Sequence, residues 1–320
     1  MPAGRVRADL GCGAGRYTSD LGRPVVALDA AGSMLDLLHH AAPHAWAVRG
    51  DIEALPFRSG SLAGAWANMS YLHVPRVRLP LALAHLHWAL RLAAPVDVQV
   101  LSGDYEGNAL PSDDIGGRFF ASWEPDRLGD VLTGAGLDVE SVEVDKDVVR
   151  ARARRARTLP DTVGAGMRLL VCGLNPSLYA ADRGVGYARP GNRFWPAALQ
   201  AGLVTRLGDP LHALVAHGMG MTDLVKRATR AAAELTRAEY EAGIGRVERL
   251  VRWLEPGAVC FVGLEGYRSA VDRNATAGPL HRSFGGRPAY LMPSTSGLNA
   301  RSSMAVLADH LAATAGLAGA

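Results

Sequence analysis

Short apolar segments alternate with helical segments along the chain, and this alternation occurs in two separate sets. In the first set, the predicted strands are residues 5–10, 25–29, 62–68, 96–101 and 137–144. The segments with helical periodicity between them include residues 32–41, 79–92 and 125–134. Strands and helices that alternate at this spacing predict a parallel sheet with helices packed on its faces.

The second set follows a stretch rich in glycine and turn-forming residues at 158–166. Its predicted strands are residues 168–174, 258–264 and 289–292, and its predicted helices are residues 192–201, 236–254 and 302–313. Asn192 is predicted as a helix N-cap, and Thr236 with Glu239 three residues later as a capping box.

The two sets predict two α/β domains, each with three α/β/α layers. The chain has 320 residues, which exceeds the roughly 100–200 residues of one domain. We assign residues 1–149 to the first domain, which is Rossmann-like, residues 150–166 to a basic linker, and residues 167–320 to the second domain.

Charge is divided unequally between the halves. Residues 1–149 contain 12 Lys and Arg against 19 Asp and Glu, whereas residues 150–320 contain 22 against 12. Five of those arginines lie in the run at residues 150–157. A basic half favours an anionic partner such as a nucleic acid, because lysine and arginine neutralise phosphates. For the run alone, a solvated linker is the alternative interpretation.

The sequence argues against several classes of protein. No uncharged apolar run reaches the ~18 residues of a membrane helix, and no secretory leader precedes the first strand. Three cysteines, at Cys12, Cys172 and Cys260, cannot supply a four-thiolate cluster. His40 and His44 have helical spacing but no acidic partner motif. We therefore expect a cytoplasmic protein without a metal site.

A glycine-rich turn joins the first strand to the segment after it. Asp9 comes just before Gly11, Gly13 and Gly15, and Asp29 ends the next strand. Glycines at such a turn allow the backbone to approach a ligand closely, and an acidic side chain at this distance suits ribose hydroxyls.

With the later pair Asp51 and Ile52, this pattern resembles the class I S-adenosylmethionine-dependent methyltransferases over residues 5–145. The resemblance implies that the glycines lie against the methionine moiety, that Asp29 holds the ribose, and that Asp51 and Ile52 flank the adenine. Only eight residues precede Asp9, so we expect the helices that usually cover this cofactor to be missing. The Asn-Pro-Pro-Tyr box of amino-methylating members is absent, and nothing in the sequence identifies a methyl acceptor.

Two polar loops follow predicted strands of the second set, where ligand sites form in open α/β sheets. The first contains Asn175, Pro176 and Ser177 and leads to Tyr187, and the second spans residues 292–301. Enzymes that act on a base take it into a pocket with an aromatic platform and hydrogen bonds to its edge. Tyr187 and the backbone amides of Ser177 and Leu178 suit such a pocket. Taken singly, these loops are also ordinary turns.

The second loop has features of a DNA-contacting segment. An apolar residue beside a glycine, as at Gly297 and Leu298, can fill the gap that an everted nucleotide leaves in the duplex. Arg301 suits a phosphate.

Residues 168–203, and further segments up to Arg301, resemble the bacterial mismatch-specific uracil DNA glycosylases and the eukaryotic thymine DNA glycosylases. The resemblance implies that Asn175 is the catalytic residue, positioning the attacking water, and that Tyr187 stacks on the flipped base. Ala180 corresponds to the position near the 5-substituent, a hint towards 5-substituted bases. The implied contacts with the substrate come from Pro176, Ser177, Ala180, Tyr187, Ser296, Gly297, Leu298, Asn299 and Arg301.

Within that set, Gly297, Leu298 and Asn299 are the residues expected to wedge the duplex and read the opposite guanine. Ser177 replaces the usual glycine and is expected to crowd the base pocket. Met292 stands where several other uracil glycosylase families have a histidine.

Three hypotheses follow. The first is a DNA repair glycosylase that removes uracil or a related damaged pyrimidine opposite guanine in double-stranded DNA, with no cofactor of its own. The second is an S-adenosylmethionine-dependent methyltransferase, with the glycosylase-like half as a nucleic-acid targeting module. The third is a non-catalytic DNA-binding protein. The preferred lesion, the coupling between the halves and the oligomeric state stay open.

Overall fold

The computed structural model describes residues 6–110, 113 and 116–319, and the chain divides after Ala156 into two compact units. The first unit contains 16 basic against 19 acidic residues, and the second 18 against 12. The excess of positive charge therefore belongs to the second unit.

The first unit is built on a seven-stranded sheet in the order β3-β2-β1-β4-β5-β9-β8. Its strands are β1 (Val6–Leu10), β2 (Val25–Asp29), β3 (Trp46–Arg49), β4 (Leu62–Asn68), β5 (Pro95–Leu101), the short pair β6 (Glu106–Gly107) and β7 (Phe120–Ala121), β8 (Leu137–Asp145) and β9 (Val148–Arg155). Its helices are α1 (Gly32–Ala41), α2 (Leu79–Ala89) and α3 (Pro125–Gly134). Arg5, the first residue of the first predicted strand, lies outside the described residues.

The sheet of the first unit is mixed rather than parallel throughout. Strands β1 to β5 pair in parallel, which was predicted for all of them except β3, a strand that the sequence did not indicate. Strand β9 runs antiparallel between β5 and β8. The antiparallel arrangement arises because β8 and β9 form a hairpin with a two-residue turn at Lys146 and Asp147, and a turn this short can join only antiparallel strands.

The prediction of a basic linker at residues 150–166 is wrong. Residues 150–155 belong to β9, where alanines at alternate positions are buried and the arginines between them meet carboxylates across the sheet. Arg150 donates from Nε to Asp97 on β5 at 2.9 Å, and Arg154 donates to Glu140 on β8 at 2.5 Å. Most of the arginine-rich run therefore forms part of a strand within the sheet.

The change from one unit to the other takes place between two adjacent residues. The backbone N–H of Ala156 donates to the carbonyl of Gly136 in the first unit. The side chain of Arg157 pairs with Asp182 in the second unit, with Nε 2.7 Å from a carboxylate oxygen. Beyond it, Val163 is fully buried, so residues 157–166 pack as part of the second unit.

One face of strand β5 in the first unit is buried, and the other is only half-buried. Val96, Val98 and Val100 of β5 are buried, whereas Asp97 and Gln99 between them are half-buried. Helices α2 and α3 pack together, and α1 packs on β2 and β3. A groove of about 290 Å³, lined by residues that include Trp66, Asp97 and Arg152, runs along the sheet. The predicted α/β class is confirmed, with part of the sheet accessible along this groove.

The second unit is a five-stranded sheet in the order β11-β10-β12-β14-β13. Its strands are β10 (Leu169–Gly173), β11 (Met219–Asp223), β12 (Ala258–Val262), β13 (Gly278–Pro279) and β14 (Ala289–Met292). Its helices are α4 (Leu178–Arg183), α5 (Phe194–Gln200), α6 (Pro210–His217), α7 (Arg237–Leu254), α8 (Leu264–Ala270) and α9 (Met304–Leu317).

Strands β10, β11, β12 and β14 of this sheet are parallel, and β13 is an antiparallel edge strand. Strands β10, β12 and β14 are buried along their whole length, which requires cover on both faces. Helices α5 and α9 pack together into one apolar cluster with the strands, and α7 packs on α8. The carboxyl ends of the parallel strands, at Gly173, Asp223, Val262 and Met292, meet at one edge.

Of two predicted helix N-caps, the structure confirms one. Thr236 and Glu239 form the predicted capping box before α7, which is confirmed. The N-cap of α5 is Arg193 and not Asn192, although the side chain of Asn192 accepts from the N–H of Phe194 at 2.9 Å. Among the described residues, no helix is long and apolar enough to cross a membrane.

Candidate functional site

A pocket of about 210 Å³ opens at the carboxyl edge of the second sheet. Six of the predicted site residues line it: Asn175, Pro176, Ser177, Ala180, Tyr187 and Ser296. The predicted loop and the predicted aromatic residue therefore meet at one cavity. The residues of the proposed wedge follow Ser296 directly in the chain.

The side chain of Asn175 is held in one orientation. Its Nδ2 donates to the carbonyl of Arg227 at 2.9 Å and to Oγ1 of Thr229 at 2.8 Å, and it lies 3.2 Å from the carbonyl of Pro176. Because carbonyl oxygens only accept, the amide NH₂ must face them. Its Oδ1 makes no hydrogen bond to the described residues, so it is the group left to bind a proton donor.

Tyr187 has an aromatic neighbour on one face and a buried hydroxyl. Its ring stacks on Phe194 with 4.1 Å between the centroids and 19° between the planes. The hydroxyl is buried and makes no hydrogen bond within the part of the chain that the structure describes, and burial raises the pKa of this phenol well above its usual value. The backbone at Tyr187 has φ 59°, a strained conformation for a bulky residue.

Ser177 is the N-cap of α4. Its Oγ accepts from the N–H of Ala180 at 3.1 Å, so the hydroxyl is engaged in capping even though the residue lines the pocket. Ala180 is buried in the first turn of that helix. The backbone amide of Leu178, expected to face a base, instead donates to the carbonyl of Thr229 at 3.2 Å.

Arg193 holds the loop of the proposed wedge, a role that was not predicted. Its guanidinium donates to the carbonyls of Ser296 at 3.2 Å, Asn299 at 2.6 Å and Ser302. Gly297 packs so closely on Gly191 that a Cβ atom would lie 2.8 Å from the Gly191 carbonyl oxygen. The loop that contains Gly191 and Arg193 therefore packs against the loop that contains Gly297.

Leu298 and Asn299 differ in where their side chains lie. Leu298 is 85% exposed, which is unusual for a large apolar residue and fits a wedge. Asn299 turns inward instead. Its Nδ2 donates to the carbonyl of Ser294 at 2.8 Å, and its Oδ1 accepts from the N–H of Arg301. Both polar atoms of the Asn299 side chain therefore stabilise the loop, and contact of this residue with the opposite guanine stays a prediction. The side chain of Arg301 is exposed.

Asp223 is a pocket residue to which the sequence analysis gave no role. Its strand, β11, pairs with β10 so that Asp223 lies opposite Gly173. A Cβ atom at Gly173 would overlap with Oδ1 of Asp223 and lie 3.0 Å from the hydroxyl of Tyr187. Burial raises the pKa of the Asp223 carboxyl to about 6. Asp223 was missed because residues 219–223 were not predicted as a strand, and an acidic residue becomes a site candidate only once it is known to end a parallel strand.

The glycine-rich turn of the first unit has the backbone conformation expected of it. Gly11, Gly13 and Gly15 all have positive φ, between 52° and 84°. Gly11 and Gly15 are packed against Ser70 and Leu38, where a Cβ atom would overlap. At Gly13 a Cβ atom would meet no described atom within 4 Å, so this part of the turn borders open space.

Asp29 and Asp9 hold this turn from two sides. Asp29 accepts from the N–H of Gly13 at 2.8 Å and from that of Ala31 at 2.9 Å. Asp9 is buried and accepts from the hydroxyl of Thr18 at 2.6 Å, and burial raises the pKa of its carboxyl. Asp9 therefore supports the turn from within.

The other predicted cofactor residues are Asp51 and Ile52. Asp51 is exposed and accepts from the N–H of Glu53 at 2.8 Å, and Ile52 is half-buried. They follow β3, whereas the glycine turn follows β1, and β2 lies between these two strands. All of the predicted cofactor residues thus lie at or just beyond strand ends of one sheet, except Asp9 within β1.

Two parts of the chain match known protein families. Residues 160–315 match the family model of the uracil DNA glycosylase superfamily, and residues 8–92 match that of a methyltransferase domain.

Several solved structures are similar to about half of the chain. A SAM-dependent methyltransferase from Methanosarcina mazei is 14% identical, with 49% of this chain and 94% of that one covered and a TM-score of 0.43. An S-adenosylmethionine-dependent methyltransferase from Mesorhizobium loti is 19% identical, with 48% and 94% covered and a TM-score of 0.40. The 1,6-didemethyltoxoflavin-N1-methyltransferase of Burkholderia thailandensis, with S-adenosylhomocysteine bound, is 21% identical, with 47% and 71% covered and a TM-score of 0.40. By the two family matches, the chain contains a methyltransferase domain at residues 8–92 and a domain of the uracil DNA glycosylase superfamily at residues 160–315.

Proposed function

We propose that the second unit is a DNA repair glycosylase that hydrolyses the N-glycosidic bond of uracil, or of a related damaged pyrimidine, opposite guanine. The observation that carries the proposal is the orientation of Asn175. Its NH₂ group is fixed by Arg227 and Thr229, so its Oδ1 can accept a hydrogen bond from a water and hold that water towards the sugar.

The remaining parts of the site have complementary roles. Tyr187, supported from behind by Phe194, offers a platform for the flipped base. Leu298 is exposed on a loop that Arg193 holds, and it replaces the flipped nucleotide in the duplex. Since Asn175 is not a strong base, the charge that develops as the base leaves must be stabilised mainly by fixed dipoles of the site.

A labelled duplex with one G·U pair tests this function. After incubation with the full chain and then alkali, we expect strand cleavage at the uracil, and loss of cleavage in Asn175→Ala. Asn274→Ala is a matched control, because Asn274 is exposed in a turn outside the pocket and its loss should change nothing. Intact strands from wild-type protein that still binds the duplex would overturn the proposal.

The second candidate function is S-adenosylmethionine-dependent methyl transfer by the first unit. The glycine turn fits such a cofactor, because Gly13 borders open space and Asp29 lies beside it. Gly11, Gly13 and Gly15 would lie along the methionine moiety, and Asp29 would accept from the ribose hydroxyls. When bound, the cofactor supplies the methyl group.

Cofactor binding is measurable by calorimetry with S-adenosylmethionine and the full chain. We expect binding by the wild type and loss of binding in Asp29→Ala. Asp36→Ala, which removes an exposed carboxylate from α1, should bind like the wild type. Equal heats for all three proteins, at the level of buffer, would exclude the methyltransferase function.

A further inference from the structure

We propose, resting on the glycosylase function above, that Lys226 is a positioning residue for Asn175. Lys226 directly precedes Arg227, whose carbonyl accepts from the Asn175 amide at 2.9 Å. The ammonium group of Lys226 in turn binds Asp161 at 2.8 Å. An ion pair whose members do not line the pocket thus determines where the Arg227 carbonyl lies, and with it the direction of the amide.

The segment that carries this carbonyl has little support from its own backbone. Before it, the N–H of Val225 donates to the carbonyl of Leu174 at 2.9 Å. After it, the N–H of Thr229 donates to the carbonyl of Pro176 at 3.2 Å. The backbone N–H groups of residues 226–228 donate to none of the described residues. Side chains must therefore hold this part of the loop.

Lys226 is held at its backbone as well as at its ammonium group. Its carbonyl accepts from the hydroxyl of Thr158. Thr158 and Asp161 belong to one segment, and Thr162 of that segment exchanges two backbone hydrogen bonds of 2.9 Å with Met221 on β11. The groups that bind Lys226 are therefore attached to the strand from which the loop emerges.

The ion pair of Lys226 is buried, unlike the ion pair of the next residue in the chain. The side chains of Lys226 and Asp161 are 10% and 3% exposed, and Asp161 also binds Arg246 at 2.8 Å. The side chain of Arg227 pairs with Glu239, but these two are 49% and 28% exposed. Water and salt weaken an exposed pair more than a buried one, so we assign the positioning role to Lys226.

Lys226→Met removes the ammonium group and keeps an apolar stem of similar length. Asp161 retains its bonds to Arg246 at 2.8 Å and to the hydroxyl of Thr222 at 2.6 Å, so the substitution leaves no carboxylate without a partner. Lys146→Met is the matched control, because Lys146 is the only other lysine of the chain and is exposed in the turn between β8 and β9.

Thr158→Val is a second test of the same role through a different atom. It keeps the shape of the side chain but removes the hydroxyl that donates to the Lys226 carbonyl. The ion pair with Asp161 is left intact in this variant. We therefore expect the effects of Lys226→Met in the same direction and of smaller size.

Nuclear magnetic resonance of the full chain, labelled with heavy nitrogen, observes the amide directly. The side-chain NH₂ signals of Asn175 are identified by their absence in Asn175→Ala. In the wild type and in Lys146→Met these protons should exchange slowly with water, since Arg227 and Thr229 accept from this group. In Lys226→Met their exchange should be about tenfold or more faster, because the bond to the Arg227 carbonyl opens locally.

A kinetic measurement separates positioning from DNA binding. In Lys226→Met, the single-turnover rate on a G·U duplex at saturating enzyme should fall by about tenfold or more, because small displacements of a catalytic group slow a reaction steeply. In Thr158→Val we expect a fall of roughly twofold to fivefold. A duplex with 2′-fluoro-2′-deoxyuridine opposite guanine resists hydrolysis, and the affinity for it should stay within about twofold in both variants, since a buried and paired ammonium group is not available to phosphates.

Lys146→Met should match the wild type in amide exchange, rate and affinity. Equal exchange and equal rates in Lys226→Met and Lys146→Met would overturn the proposal, and so would a loss of affinity as large as the loss of rate. If Lys226→Met does not fold, unchanged exchange and rate in Thr158→Val would overturn it. A wild type that leaves the G·U duplex intact would overturn the glycosylase function itself, whereas the exchange of the amide would still show whether Lys226 orients Asn175.

Discussion

The side-chain amide of Asn175 donates to the hydroxyl of Thr229 over 2.8 Å. Asn175 follows β10, whereas Thr229 follows the neighbouring strand β11, so two separate loops determine which atom of the amide remains free. Thr229 is thus a positioning residue for the proposed catalytic group.

Removal of the Thr229 hydroxyl should therefore slow base excision without abolishing it. Thr229→Val keeps the shape of the side chain but removes an acceptor worth about 1 kcal/mol. We expect the single-turnover rate on a G·U duplex to fall roughly fivefold to tenfold at saturating enzyme. In Asn175→Ala the same rate should fall by about two to three orders of magnitude. An unchanged rate in Thr229→Val would mean that the orientation of the amide does not matter.

Replacement of Leu298 should weaken binding to a mismatched duplex and leave the fold intact. Its side chain is 85% exposed, so Leu298→Ala removes almost no buried contact, and the melting temperature should stay the same. The affinity for a duplex with a G·U pair should drop, because the gap in the stack stays empty. Val215→Ala is the matched control, because Val215 is an apolar side chain on α6 that is 75% exposed. Equal affinities for both variants would argue against the wedge.

Enlargement of Ala180 tests the hint towards 5-substituted bases. Ala180 lines the pocket and is buried in the first turn of α4. If a methyl group of the base lies there, Ala180→Val should reduce excision of thymine relative to uracil by about tenfold or more, the effect of one methyl group in a tight pocket. Ala181→Val is the matched control, because it adds the same bulk to a buried position of the same helix outside the pocket. A uniform loss on both bases would place the methyl group elsewhere.

The carboxyl of Asp223 should lower the stability of the fold above pH 6. Because its pKa is raised to about 6 in the folded protein, the unfavourable contribution is fully present above that pH and disappears as the pH falls towards its unfolded value. Asp223→Asn should therefore raise the melting temperature at pH 8 and have little effect near pH 4. The gain is at most about 3 kcal/mol, since one pKa unit corresponds to about 1.4 kcal/mol. Differential scanning fluorimetry at both pH values measures it, and a variant that is less stable at pH 8 would contradict the argument.

The sequence predicted those elements whose pattern is local. The strands Leu62–Asn68 and Ala289–Met292 and the helix Pro125–Gly134 have the predicted bounds. Strand β9 was missed because most of its buried positions are alanines between arginines. Alanine is only weakly apolar, so the segment was interpreted as a charged run and not as an alternating strand. Only the pairing with Asp97 and Glu140 explains why those arginines belong in a sheet.

In the candidate site, too, residues in local motifs were predicted, whereas residues that act through distant contacts were not. Asn175 and Tyr187 stood in recognisable motifs, and both line the pocket. Arg193 and Thr229 act through bonds to residues more than fifty positions away, to Asn299 and Asn175, and such pairings are not visible in the order of residues. The bonds of Asn299 within its own loop were not predicted, because an asparagine that stabilises its loop and one that reads a base look identical in sequence.

The abrupt change at Ala156 and Arg157 has a practical consequence for separating the two halves by recombinant expression. A fragment that ends at residue 149 lacks most of β9, so the first sheet would be left with β5 and β8 both exposed at edges that invite aggregation. A fragment that begins at residue 167 discards Asp161, and with it the counter-ion of Lys226 and Arg246. Cloning boundaries at Ala156 and Arg157 avoid both defects.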